Sequence, residues 1–236
     1  MTSDLLSHGA IIRGDSTERK VAILFTGDEF ADGGKFIREA LRQNNVKASF
    51  FLTGKFYRNK KFSAIIKQLK ADGNYLGAHS NEHLLYCDWT KRDSLLLTKD
   101  SFQKDLKANY QQLKRFGVSG SSAHYFLPPY EWYNDSIASW TNQLALQLVN
   151  YTPGTLSHAD YTIPGERNYR SSEEIYQSIT RYEQQHISGL KGFLLLIHIG
   201  TDPRRTDKFY YRLPELIDYL KNRNYKMVTV KELLTK

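Results

Sequence analysis

The sequence predicts an α/β fold, a (β/α) barrel of about seven parallel strands with a short N-terminal β-hairpin. Short apolar runs, typical of strands covered on both faces, alternate with segments of helical periodicity. Alternation over this length favours a closed or nearly closed parallel barrel over an open sheet. The chain has neither a low-complexity linker nor a sharp break in composition, so we expect one domain over residues 1–236, with residues 1–20 as its N-terminal extension.

The predicted elements follow one another in a regular order. Ala10–Ile12 and Val21–Phe25 flank the turn-rich segment Arg13–Ser16, which we expect to be a hairpin turn. Gly73 is expected to end the second helix, and Asp100 to cap the third. The remaining strand-like runs are Ala48–Leu52, Tyr75–Ala78, Tyr125–Leu127, Leu146–Tyr151, Phe193–Ile199 and Lys226–Val230, and the helical patterns begin at Phe36, Phe62, Phe102, Ile175 and Leu213.

The composition excludes several classes of protein. Hydrophobic residues make up 40% of the chain and aromatic residues 13%, which is too much for a disordered chain. Apolar runs such as Phe193–Ile197 fall far short of the roughly 20 residues that span a bilayer. The single Cys87 rules out an intrachain disulfide framework. Met1–Leu6 does not look like a signal segment, so we expect either a cytoplasmic protein or an envelope or secreted one whose signal has been removed.

The positive charge is concentrated in one quarter of the chain. Residues 55–115 contain 13 Lys and Arg against 6 Asp and Glu, in a chain of net charge +8. If this segment forms outer helices of a barrel, most of the charge faces solvent away from the active face; the alternative is a surface for an anionic polymer. We expect no nucleic-acid partner, because no nucleic-acid motif accompanies the basic residues.

Polar residues follow the predicted strands at the C-terminal edge, where barrels carry their chemistry. His79 directly follows a strand and lies four residues before His83, and two such imidazoles can bind one metal ion. Asp28 follows the first central strand, and two histidines with one carboxylate leave coordination positions open, as in a catalytic metal centre. His198 ends another strand. The alternatives are a capping role for Asp28 and a structural role for His198.

Several ordered motifs resemble the NodB-homology polysaccharide deacetylases, carbohydrate esterases that act on N- and O-acetylated glycans. The resemblance covers about Val21 to Leu234. The motifs are Val46–Gly54 (similar to the Val-Lys-Ala-Thr-Phe-Phe segment), His79–His83 (the metal motif), Phe126–Tyr130 (similar to Phe-Arg-Pro-Pro-Tyr), Leu195–His198 (similar to Leu-x-Ile-His) and Leu213–Leu234 (the last helix, strand and helix).

The resemblance implies a distorted (β/α) barrel and a metal-dependent hydrolase that removes acetyl groups from a carbohydrate by means of metal-activated water. Asp28, His79 and His83 would bind one divalent transition metal, with zinc favoured over cobalt, nickel or manganese. The backbone N–H of Tyr130 would stabilise the oxyanion, and His198 would be the general acid. The expected partner is an acetylated carbohydrate, whereas the oligomeric state stays open.

Further roles depend on weaker matches. Asp160 is the nearest match to the family's aspartate that orients the acid histidine, with a loop aspartate in an Asx turn as the alternative. Tyr130, Trp132 and Tyr161 are candidate substrate-binding residues, and Tyr133 is a further stacking candidate. Packing is the alternative for these rings.

The departures from the family pattern concern the general base. The family's first motif has two adjacent aspartates, one a metal ligand and the other the base, and an arginine pairs with that base. Counting back from Val46 places Asp28 at the metal aspartate, whereas counting forward from Val21 places Gly27 there; a bulge at Thr26–Gly27 would reconcile the two counts. The base is then replaced by Gly27 and the arginine by Leu127. Either another carboxylate acts as the general base, or the barrel binds glycans with little or no hydrolysis. The candidates for a substitute base are Glu29, Asp32 and Glu131.

Overall fold

Residues 4–235, which the computed structural model describes, form nine strands and eight α-helices. The strands are β1 (Leu5–Ser7), β2 (Ala10–Arg13), β3 (Lys20–Gly27), β4 (Ser49–Leu52), β5 (Tyr75–Ala78), β6 (Tyr125–Phe126), β7 (Gln147–Leu148), β8 (Phe193–His198) and β9 (Lys226–Met227). The helices are α1 (Gly34–Gln43), α2 (Gly54–Arg58), α3 (Ser63–Ala71), α4 (Lys99–Arg115), α5 (Asp135–Asn142), α6 (Ser172–Gln185), α7 (Leu213–Asn222) and α8 (Val230–Leu234).

The strands form one curled sheet in the order β1-β2-β8-β3-β4-β5-β6-β7, with β9 paired to β3. Strands β3 to β9 pair in parallel, whereas β1 and β2 are antiparallel to their neighbours. An isolated parallel bridge from Ile11 in β2 to Val149, just after β7, brings the two sides of the curled sheet together. The structure therefore confirms the predicted distorted barrel of about seven parallel strands.

The N-terminal hairpin differs from the expected one. Strands β1 and β2 pair with each other, whereas β8 lies between β2 and β3. The prediction that Arg13–Ser16 is the hairpin turn is therefore wrong, and this segment is a connection across β8. The sequence could not reveal this, because β8 comes about 180 residues later and inserts between two runs that are adjacent in sequence.

The two faces of β3 contact different layers. Val21, Ile23 and Phe25 belong to the apolar layer between the sheet and the outer helices. Ala22 and Leu24 belong to a smaller apolar cluster inside the barrel, which also contains residues of α8. Because strand residues alternate between faces, the next residue of the inner row, Thr26, stands at the top of the barrel interior.

Of the two predicted helix caps, the structure confirms Gly73 after α3 but not Asp100 at the start of α4. Gly73 follows α3 with φ +80°, a conformation that favours glycine. The cap of α4 is Thr98, whose side chain accepts from the N–H of Ser101, so the prediction of Asp100 as the cap is wrong; Asp100 lies in the first turn instead. Within residues 4–235, none of the helices has the length and apolar character needed to cross a membrane.

Candidate active site

The C-terminal ends of the parallel strands surround a cleft of about 730 Å³. The fold brings seven of the eight predicted site residues to its wall. They are Asp28, His79, His83, Tyr130, Trp132, Tyr161 and His198. The eighth, Asp160, is buried directly behind His198. These residues come from five separate segments, so only the sheet order makes them neighbours.

His198 and Asp160 form a tight pair. The Asp160 carboxylate contacts His198 Nδ1 at 2.6 Å through one oxygen and accepts the backbone N–H of His198 at 2.9 Å through the other. Asp160 follows the short 3₁₀ turn Ser157–Ala159 and is only 1% exposed. Because Nδ1 is engaged, Nε2 is the nitrogen that remains for the cleft. Burial alone would lower the pKa of His198, but Asp160 and then Glu131 outweigh it and raise that pKa.

His79 is held in a single orientation. Its backbone N–H donates to Asn109 Oδ1 and its Nδ1 donates to the Leu127 carbonyl, each at 2.9 Å. A carbonyl can only accept, so the neutral ring carries its proton on Nδ1 and leaves Nε2 free. Leu127 contributes its backbone carbonyl to this site rather than a side-chain charge.

His83 stands beside His79 in a left-handed backbone conformation with φ 57°. The two imidazole rings are 5.1 Å apart, and His83 also contacts the Tyr130 ring at 4.4 Å. Burial lowers the pKa of His79 well below its ordinary value, and burial, partly offset by Asp28, lowers that of His83 to about 4. Both rings are therefore neutral at pH 7, the form in which imidazole binds metals.

Asp28 has other partners in this arrangement. Its carboxylate accepts the Thr53 hydroxyl at 2.8 Å and lies 3.6 Å from the Lys55 ammonium. Within the described part of the chain, no group of three or more His, Cys, Asp or Glu side chains could hold a metal ion as placed. The donor types of Asp28, His79 and His83 fit a divalent transition metal. As placed they do not form a metal site, and Asp28 lies beside Lys55 instead.

Strand β3 runs regularly through the first motif. Its pairing with β8 is continuous from Val21 to Thr26, and its pairing with β4 is continuous to Gly27. The predicted bulge at Thr26–Gly27 is therefore absent. Without a bulge, the expectation obtained by counting forward from Val21, which would align Gly27 rather than Asp28 with the metal aspartate, is not reconciled with the count back from Val46.

Thr26 and Gly27 point in opposite directions. Thr26 lines the cleft, is 1% exposed, and has a buried hydroxyl without a hydrogen-bond partner among the described residues. A Cβ at Gly27 would instead lie 2.6 Å from Ile199 and 2.9 Å from Leu52, in the apolar layer outside the barrel. A side chain that serves the cleft therefore belongs at position 26.

The crowding at Gly27 predicts a loss of stability in Gly27→Ala. The added methyl group would overpack against Ile199, Leu52 and Phe56, so we expect a cost of about 1–3 kcal/mol in the free energy of unfolding. Gly120→Ala is the matched control, because a Cβ there has no heavy atom within 4 Å. Urea unfolding of both variants checks this; equal midpoints for Gly27→Ala and the parent would contradict the orientation described for residue 27.

Tyr130 and Glu131 occupy a strained turn beside His83. Both residues are left-handed, with φ 58° and 53°, within the 3₁₀ turn Pro129–Glu131. Two consecutive non-glycine residues in this region cost energy, and such strain concentrates at functional sites. The Tyr130 N–H makes no hydrogen bond within the described residues, whereas the N–H groups of Glu131 and Trp132 do. It is therefore free to donate to a bound group.

The three candidate carboxylates differ in availability. Asp32 is engaged by the Thr201 N–H at 2.9 Å, the Tyr210 hydroxyl at 2.8 Å and the Lys208 ammonium at 3.0 Å. Glu29 and Glu131 both line the cleft, and Glu29 is exposed. Burial raises the pKa of Glu131 to about 7, with His198 opposing and Asp160 adding to the shift. A carboxyl group of this kind in a cleft exchanges protons near neutral pH.

The predicted stacking rings divide into two groups. Tyr161 is 50% exposed, with its ring 5.3 Å from that of His198, and Trp132 is half-buried with its N–H donated to the Asp88 carbonyl. Tyr133 is buried and donates its hydroxyl to the Ser7 carbonyl, so it packs rather than stacks. Trp89, which sequence reasoning missed, is 55% exposed at the cleft. In the sequence, the only indication that Trp89 belongs to the site is its position in the loop after His83.

Fold and site together define a (β/α) barrel with a histidine–aspartate pair at its mouth. A family model described as polysaccharide deacetylase matches residues 14–149, more than half of the chain. The chain belongs to the polysaccharide deacetylase family, the carbohydrate esterases with NodB homology.

Individual relatives are distant. A peptidoglycan-N-acetylglucosamine deacetylase of Bacillus cereus is 23% identical over 143 residues, which cover 61% of this chain and 48% of the relative. The match thus spans about half the length of that relative. A bifunctional xylanase/deacetylase of Pseudobutyrivibrio xylanivorans is 24% identical over 93% of this chain and 31% of its own length.

Solved structures share the fold. A pseudoenzyme of carbohydrate esterase family 4 from Bacillus anthracis has a TM-score of 0.74 at 19% identity, covering 97% of this chain and 69% of its own, and a mutant of it is described as having restored enzymatic activity. The chitin deacetylase of Colletotrichum lindemuthianum has a TM-score of 0.72 at 19% identity, covering 98% and 94%. At this identity the likeness concerns the fold.

Proposed function

We propose that this protein removes acetyl groups, N- or O-linked, from a carbohydrate. The observation that carries the proposal is the His198–Asp160 pair, bonded at 2.6 Å with the second histidine nitrogen left for the cleft. A barrel that only bound sugars would not need a histidine whose pKa is raised by a buried carboxylate. The amide-deacetylating relatives support the same reaction class.

The residues proposed to hold a divalent transition metal, zinc in the first place, are His79, His83 and Asp28. When bound there, such an ion would supply a Lewis acid and lower the pKa of a bound water. His79 is already oriented by Leu127, with Nε2 free. Asp28 is paired with Lys55, which therefore competes with a metal for the same carboxylate.

The chain's own groups have separate tasks in this proposal. Glu131 takes a proton from the attacking water, since its carboxyl lines the cleft with a pKa of about 7. The Tyr130 N–H donates to the oxygen that becomes negative in the tetrahedral intermediate. His198 Nε2 then gives a proton to the leaving amine or alkoxide, and Asp160 stabilises the protonated ring.

A second candidate function is glycan binding with little or no hydrolysis. Three observations favour it: the Asp28–Lys55 pair, the hydroxyl rather than a carboxylate that Thr26 presents to the cleft, and the apolar side chain of Leu127. The structural similarity to a family 4 pseudoenzyme is consistent with this alternative. The two candidates differ in acetate release.

The test combines zinc titration with acetate release. Calorimetry with Zn²⁺ should show one site in the parent that is lost in His83→Ala. In Lys55→Met we expect severalfold tighter binding, because the competing cation is removed. Lys67→Met, which removes an exposed charge on α3, is the control and should bind zinc like the parent.

Acetate release is then measured on acetylated chitooligosaccharides, peptidoglycan fragments and O-acetylated xylan. Release that depends on His198 supports the hydrolase. Sugar binding without release from any of the three substrates would instead establish the binding protein. Zinc binding that survives His79→Ala and His83→Ala unchanged would show that the ligands lie elsewhere.

A further inference from the structure

We propose that the cleft contains a subsite for a carboxylate-bearing sugar residue, formed by Arg92 with Trp132 and Trp89, next to the position of the acetylated sugar. This rests on the proposed action on carbohydrates and adds a substrate class to it, an anionic glycan. The proposal depends on a row of aromatic rings and on one guanidinium group.

The row of rings leads away from the reaction centre. The Tyr130 ring contacts His83 at 4.4 Å on one side and Trp89 at 5.6 Å on the other. Trp89 in turn stacks on Trp132 at 5.8 Å. Both Tyr130 and Trp89 are about half exposed on this wall of the cleft, with 44% and 55% of their surface accessible. Exposed aromatic faces bind the apolar faces of sugars, so the row fits a bound oligosaccharide.

Arg92 lies at the outer end of this row. Its guanidinium carbon is 3.8 Å from the centre of the Trp132 ring and 6.0 Å from that of Tyr133. Trp132 is itself held by its hydrogen bond to the Asp88 carbonyl, and the Arg92 carbonyl accepts from Asn134. The guanidinium is therefore placed by stacking on a fixed ring rather than by a protein carboxylate.

The charge of Arg92 has no ionic partner among the residues described. No ion pair or side-chain hydrogen bond of its guanidinium occurs within residues 4–235, whereas the cleft-lining acids Asp28 and Asp202 both have cationic partners. Arg92 is also the sole lysine or arginine among the described residues that line the cleft. A half-buried cation that stacks on one face and keeps its N–H edge free is suited to an incoming anion.

The free N–H edge of the Arg92 guanidinium favours a carboxylate as the ligand. A guanidinium binds a carboxylate through two parallel N–H···O bonds, a geometry that a neutral hydroxyl group cannot match. The ring row requires that this carboxylate belong to a sugar. A uronate and a lactyl ether both provide such a group, and the two are distinguished by the choice of oligosaccharide.

The experiment measures binding by calorimetry to three acetylated oligosaccharides: a xylooligosaccharide that carries a uronate, its carboxyl-reduced counterpart, and a peptidoglycan-type oligosaccharide with the lactyl carboxylate. The parent should prefer one of the carboxylates over the reduced sugar. Arg92→Gln should weaken that binding roughly tenfold to a hundredfold, the range expected for hydrogen bonds to a charged group, and leave the reduced sugar unaffected. Arg92→Lys should retain part of the preference for the carboxylate sugar, because lysine keeps the positive charge but lacks the two parallel N–H donors of the guanidinium.

Arg115→Gln is the matched control, since it removes an exposed charge at the end of α4. Melting temperatures identify any variant that is misfolded, and Trp89→Ala should weaken binding of all sugars. Equal affinity for carboxylate and reduced sugars in the parent, or an equal loss for both in Arg92→Gln, would overturn the proposal. Carboxylate-selective binding without acetate release would refute the hydrolase and leave the subsite standing. Acetate release without a preference for carboxylate sugars would refute the subsite and leave the hydrolase standing.

Discussion

His198→Ala is expected to lower kcat for acetate release by roughly 10²–10⁴-fold, the usual contribution of a positioned acid. The reason is geometric. Asp160 holds His198 through Nδ1 of the ring and through the backbone N–H of His198, so Nε2 can donate a proton only toward the cleft. Sugar affinity should change little. Steady-state kinetics and calorimetry on the same substrate separate the two effects, and a parallel loss of binding and turnover would argue for a structural role instead.

Asp160→Asn should shift the pH profile in a defined direction. The general acid must be protonated, so activity falls as the pH rises through the pKa of His198. Asp160 is the main group that raises this pKa against the effect of burial. Its loss should therefore move the alkaline limb of kcat/KM to lower pH. Tyr161→Phe, which alters a ring near His198 but no charge, should leave the limb in place. An unmoved limb in Asp160→Asn would exclude His198 as the titrating acid.

Thr26→Asp is expected to raise acetate release, by roughly 10²–10⁴-fold where Glu131 has been removed, the usual value of a general base. The Thr26 side chain is on the cleft side of β3, and its buried hydroxyl has no partner within the described residues. A carboxylate at this position would face the cleft from the end of β3. The effect should be largest in the background of Glu131→Gln, which by itself should reduce the parent's activity.

Gly27→Asp is the discriminating control for that experiment. It adds the same carboxylate one residue further on, but on the apolar side facing Ile199 and Leu52. We expect it to destabilise the fold without a gain in activity. Activity gained in Gly27→Asp and not in Thr26→Asp would show that the base position is residue 27 after all.

The basic quarter of the chain has two parts with different surroundings. The lysines of α3 and α4 are mostly exposed, as expected for outer helices. Lys55 and Arg92 are exceptions, since Lys55 pairs with Asp28 and Arg92 lines the cleft. The expectation that this charge lies away from the chemistry therefore holds for α3 and α4, but not for Lys55 in α2 or for Arg92 in the loop after His83.

Much of the architecture could be predicted from the order of residues alone. Short continuous apolar runs located the parallel strands, which are covered on both faces, and helical periodicity located the main helices, which bury one face. The strand ends then pointed to Asp28, His79, His83 and His198, which all line one cleft. Local chemistry of this kind needs no knowledge of distant partners.

Tertiary structure decided the features that depend on neighbours far away in the chain. The position of β8 between β2 and β3 removed the expected turn at Arg13–Ser16. The unbroken pairing of β3 directed Thr26 inward and Gly27 outward, a distinction that an alignment by counting could not make. Lys55 beside Asp28 and Arg92 on Trp132 are contacts between side chains that no periodicity encodes. The sequence by itself thus determined the fold class and the candidate chemistry, whereas packing decided which side chains face the cleft.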